Sequence, residues 1–176
     1  MELTYRELWT VLHGMLFGAI YLIAFGGGIA GLYSLTPDWV TSAGISERIK
    51  RLKIGLWAMT AMAWLTVISG TWLVYIWYRA KPGPGMNLGQ FPRSFLLSHE
   101  NTKEWHDFGM EWKEHVAWIT PFLATSIAYT VHIYGEKLAN HAKIRRALLI
   151  VLIFSFVAGA AAGIFGAFIN KVAATH

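Results

Sequence analysis

Residues 105–118 read WHDFGMEWKEHVAW, and residues 119–131, ITPFLATSIAYTV, follow without a break. The first piece mixes two histidines and three tryptophans with carboxylates and a lysine. The second is apolar. A histidine at the mouth of so apolar a run places a titratable ring at the edge of hydrocarbon. About 20 apolar residues in a helix cross a bilayer core, and the run continues far enough to do so. Three other runs qualify, so the spans are expected at about residues 8–33, 54–78, 116–134 and 147–169. None holds Asp, Glu, Lys or Arg in its interior. The expected fold is all-α: an integral membrane, up-down four-helix bundle forming a single domain, residues 1–176.

Composition agrees. The chain is 55% hydrophobic and 14% charged, against about a quarter charged in soluble domains. Its Lys and Arg residues gather in loops beside apolar runs, which marks membrane topology rather than a nucleic-acid surface. There are no cysteines, which excludes disulfides, iron–sulfur clusters, thiolate zinc and covalently attached c-type haem. The start, MELTYRELW, has no basic n-region, so no cleaved signal peptide is expected.

Orientation follows from the short loops. Arg48, Lys50, Arg51 and Lys53 are assigned to the first loop, and Lys137, Lys143, Arg145 and Arg146 to the third. The positive-inside rule then puts these loops in the cytoplasm and both termini outside. The setting expected is a prokaryotic inner or plasma membrane.

The second loop, residues 79–115, opens with KPGPGMNLGQFPRSF, whose prolines and glycines argue against regular structure. A helix is expected after it, with Asn101 as N-cap and Glu104 three residues on. Trp105, Phe108 and Trp112 share one of its faces and the carboxylates lean elsewhere. That is an amphipathic helix lying at the interface and feeding the third span.

Of the seven histidines, His141 and His176 read as solvated. His13 lies inside the first span and His115 at the entry of the third. Trp9 precedes His13 by four residues and Trp112 precedes His115 by three. Tryptophans mark interfacial depth, so the two imidazoles are expected at similar depth on two parallel helices. Ionisable groups at such positions are functional candidates by default. Two neutral imidazoles facing each other across a bundle are the arrangement that ligates a b-type haem. Gly14 and Gly18 beside His13 would allow close approach, although small residues are also the ordinary means of membrane helix packing. His132, seventeen residues beyond His115, is turned from it by about 100°. It is a candidate for a second haem, for a hydrogen bond across helices, or for the surroundings of a quinone. The tryptophans, Trp118 among them, and Tyr129 are candidates to line such a quinone site.

A rival reading uses the same region for an outward-facing metal site. Glu111 and His115 stand at i, i+4 on one face, and His106 is a further candidate ligand, together suiting zinc or iron.

With His13 in LHGMLFG and His115 in KEHVAWITP, the chain resembles the small four-span transmembrane b-type cytochromes, the haem-carrying anchor subunits of quinone-linked respiratory complexes. The resemblance implies haem b, for which His13 and His115 are the candidate ligands, and the seventeen-residue separation of His115 and His132 favours one haem over two. The resemblance also implies electron transfer with a quinone or with other membrane or peripheral subunits, and at most a subunit's share in an oxidoreductase. The alternative is a cofactor-free structural or assembly subunit. No nucleic-acid partner is expected.

Overall fold

The computed structural model describes residues 3–173; His176 lies outside them. The described residues form helices and loops with no strand. Four helices are long and apolar enough to cross a membrane: Tyr5–Ser34, Ser42–Tyr78, Glu100–Asn140 and Ala142–Val172. They are called here the first to fourth spans. The first packs on the second and fourth, and the third likewise packs on the second and fourth. Spans one and three are therefore diagonal partners in an up-down bundle. The two ends of the described chain and the second loop share one end of the bundle, called here the terminal end, and the first and third loops share the other.

Several helix ends have a local reason. Thr4 caps the first span reciprocally: its hydroxyl accepts from Glu7 N, and the Glu7 carboxylate accepts from Thr4 N at 2.8 Å. Thr41 caps the second. Gly135 ends the straight part of the third at φ 52°, a conformation that glycine adopts without the Cβ penalty of other residues. The basic residues assigned to loops one and three lie mostly on helix. Arg48, Lys50, Arg51 and Lys53 belong to the first turns of the second span, and Lys143, Arg145 and Arg146 to those of the fourth. Arg48 donates to Ser34 O at 3.0 Å and Arg145 donates to Leu138 O at 2.7 Å. These cations satisfy carbonyls that a helix end leaves without partners.

The apolar core fills the half near the first and third loops. Leu32, Leu35, Leu56, Met59, Ile127, Val131, Leu138 and Leu152 are fully buried there. Gly28 lets the first span close on Leu56 and Leu152: a Cβ at that position would come within 3.2 Å of each. The outside is apolar too. Ile23, Trp72, Phe154 and Ile164 are exposed, which suits a helix whose solvent is lipid.

The second loop and the third span depart from expectation. Pro92 begins a short helix, Pro92–Leu97, because its fixed φ and missing N–H suit a first helical turn. The amphipathic helix starts at Glu100 with His99 as N-cap, not Asn101. It is not a separate piece on the membrane surface but the beginning of the third span. Its apolar face packs on the fourth span. Trp105 stacks on Phe168 at 5.0 Å, while Phe108 and Trp112 meet Phe165 at 5.5 and 6.1 Å. Trp112 also donates its indole N–H to Ala158 O at 3.1 Å. Trp105 and Trp112 are thereby drawn half out of reach of lipid, while Phe108 stays exposed at the edge of the contact.

Candidate functional site in the terminal half of the bundle

Four π-helical segments interrupt the spans: Leu12–Phe17, Gly70–Val74, Trp105–Met110 and Trp112–Val116. All four fall in the terminal half. Wide turns of this kind are frequent at functional sites, because they shift the phase of a helix and free backbone groups. They also carry most of the titratable side chains singled out in the sequence: His13, His106 and His115.

His13 sits where the first two of these segments meet. Its Nδ1 lies 3.2 Å from Ser69 Oγ. The Ser69 hydroxyl is committed to Leu65 O at 2.6 Å, so the imidazole N–H donates and Ser69 accepts. The proton is thereby assigned to Nδ1, and Nε2 keeps its lone pair. Gly70 makes room for the ring: a Cβ there would stand 2.7 Å from His13 Cε1. Ser69 and Gly70 were not singled out in the sequence; a Ser-Gly pair in an apolar run gives no signal of its own.

Lys113 is the second finding. Extending the third span back to Glu100 brings Lys113, which the expected boundaries leave in the second loop, into a helix-helix contact. Its Nζ donates to Ala162 O at 3.3 Å, and a Cβ at Gly166 would come within 2.7 Å of that nitrogen. Gly166 is thus the groove into which the amine fits. Lys113 is also close enough to His13 for its charge to act on the imidazole.

A third group lies nearer the surface. Tyr78 OH is 2.8 Å from His106 Nδ1, and Arg93 Nε lies 3.5 Å from His106 Nε2. With Arg93 able only to donate, His106 Nε2 accepts and Nδ1–H donates to the Tyr78 oxygen. Glu114 is the carboxylate whose charge reaches both Tyr75 and Tyr78. Arg79 stands over the Tyr75 ring at 5.3 Å.

The structure does not bring His13 and His115 together. His115 is 69% exposed at its side chain, with Nδ1 3.1 Å from Glu111 O and 3.2 Å from Glu111 Oε2. It does form the expected i, i+4 pair with Glu111, on the outside of the third span. His106 is not part of that pair, being turned toward Tyr78 and Arg93. Among the described residues no three His, Cys, Asp or Glu side chains gather as a metal group. His132 is exposed, with its ring 6.4 Å from Trp57; no hydrogen bond crosses from it to another helix among the described residues. Gly14 and Gly18 face open space rather than a neighbouring helix, since a Cβ at either would meet nothing within 4 Å. Trp118 joins an aromatic cluster with Trp64 at 6.3 Å and Trp72 at 6.0 Å. Tyr129 points outward.

For a haem the fit is partial. His13 has what an axial imidazole needs, an Nδ1–H held by a neighbour and a free Nε2. His115, as it is turned, does not oppose it. Comparison with known proteins gives no match among family models, curated proteins or solved structures.

Proposed function

We propose that this chain is a membrane-embedded subunit of a quinone-linked redox complex, with its site in the terminal half and that half at the outer face. The observation that carries the reading is His13, an imidazole inside the bundle, oriented by Ser69 and offering an Nε2 lone pair. The four π-helical segments around it support a functional rather than a purely packing role. Haem b, when bound, would supply one-electron chemistry, and His13 is the residue suited to hold its iron. The second ligand in this reading is His115. It reaches inward only if the Trp112–Val116 turn changes register, and one residue of register turns a side chain by about 100°. The Trp64–Trp72–Trp118 cluster supports a quinone as the diffusible partner, because flat rings stack on such surfaces. The positive-inside count supports loops one and three in the cytoplasm of a prokaryotic cell, and other subunits of the complex would cover the exposed Glu111 and His115.

The test is optical. Protein purified from its native membrane and reduced with dithionite is expected to give a Soret band and a sharp α-band. His13→Ala should remove both, and His115→Ala should abolish the low-spin signature. A flat visible spectrum from native-source protein, with porphyrin absent on extraction, would overturn the haem reading. It would favour the second one, a cofactor-free structural subunit. That reading has its own support: His13, Lys113 and His106 each already hold a partner on another element.

A further inference from the structure

Beyond the His13 region, the chain leaving the second span and the short Pro92–Leu97 helix enclose a cleft of about 420 Å³. It is lined by Arg79, Lys81, Pro82, Arg93, Ser94 and Leu97. Three of these six side chains are cationic. None of the three forms an ion pair: among the described residues the carboxylates in such pairs are Glu47, Asp107 and Glu111, and Glu114, the acid of this neighbourhood, is turned to the Tyr75 hydroxyl. Arg79 lays its guanidinium over the Tyr75 ring, which leaves the N–H edges of the fork free. Arg93 turns only its Nε toward His106, so its two terminal nitrogens remain available. Ser94 adds a hydroxyl, and Leu97 with Pro82 adds an apolar wall.

Three like charges around one open cleft repel each other and call for an anion. Guanidinium forks match the paired oxygens of a phosphate, and an ammonium and a hydroxyl complete its coordination. The depth argues for the source of that phosphate. The second span ends with Trp72, Tyr75, Trp77 and Tyr78 immediately before Arg79, and Trp and Tyr mark the level of lipid head groups. We infer that this cleft binds the phosphate head group of an anionic membrane lipid, with Leu97 and Pro82 against its glycerol. Its occupant would sit beside Arg93 and hence at the end of the Arg93–His106–Tyr78 chain. This inference does not depend on the redox reading.

The experiment is native mass spectrometry of the whole protein in detergent, titrated with phosphatidylglycerol or phosphatidylcholine of identical acyl chains. Inorganic phosphate serves as the soluble competitor. Both lipids carry the phosphate, but the quaternary ammonium of phosphatidylcholine would face the three cations of the cleft, so phosphatidylglycerol is expected to bind about tenfold or more tightly. The double variant Arg79→Gln/Lys81→Gln, both exposed and tied to the bundle only through the Arg79–Tyr75 ring contact, should erase that preference. Arg93→Gln should do the same, and Lys143→Gln at the other end of the bundle should leave it intact. Equal binding of the two lipids, or a preference that survives in the double variant, overturns the site. Binding of inorganic phosphate with no preference for the anionic lipid overturns the lipid assignment.

Discussion

Ser69 and Gly70 show how much of His13's placement rests on two small neighbours. Ser69→Ala removes the acceptor for the imidazole N–H and should cost about 1 kcal/mol. If His13 is a ligand or proton acceptor, the same change should also alter the optical spectrum or its midpoint potential, which a purely structural hydrogen bond would not do. Gly70→Ala drives a methyl into the ring and should lower the thermal midpoint in detergent more than Ser69→Ala does. Thr60 offers the opposite case. Its hydroxyl is buried with no partner among the described residues, so Thr60→Val should be neutral or stabilising by up to about 1 kcal/mol. Thermal unfolding of these three variants in one detergent checks the ordering. His13 and His115 were legible in the sequence as anomalies, because imidazole in an apolar run is rare enough to stand out. Lys113 was not, because it sits outside the hydrophobic window and becomes half-buried only against Gly166 of another span.

The third span is the element whose reading changed most. Periodicity found its aromatic face correctly: Trp105, Phe108 and Trp112 do lie together. Periodicity cannot say what covers that face, and the cover is Phe165 and Phe168 of the fourth span rather than lipid. Phe165→Ala should therefore free residues 105–116 from the bundle. Hydrogen exchange across that segment is expected to accelerate while the fourth span's own core amides stay protected; unchanged protection would mean that the segment holds without its aromatic cover. The two π-helical segments here also explain why His115 faces outward. Each wide turn adds a residue and shifts everything beyond it by about 100° relative to an unbroken α-helix. A depth argument survives that shift, but an argument about direction does not.

The whole molecule divides into a close-packed apolar half near loops one and three and a polar, π-helical half near the termini. Leu56 belongs to the first half and is fully buried, so Leu56→Ala should cost about 2–5 kcal/mol and lower the thermal midpoint sharply. The absence of cysteine makes topology directly testable. Asn87→Cys in the second loop should react with a membrane-impermeant maleimide on intact cells, and Lys143→Cys only after lysis; the reverse pattern inverts the proposed orientation. Four helices, their order and the fact that each is long enough to cross a membrane could be read from the chain alone, because each depends on a local run of apolar residues and its breakers. The meeting of His13 with Ser69, of Lys113 with Gly166 and of His106 with Tyr78 and Arg93 could not. Those contacts join residues far apart in the chain, and they depend on helix phase, which a few wide turns reset without leaving a mark in composition.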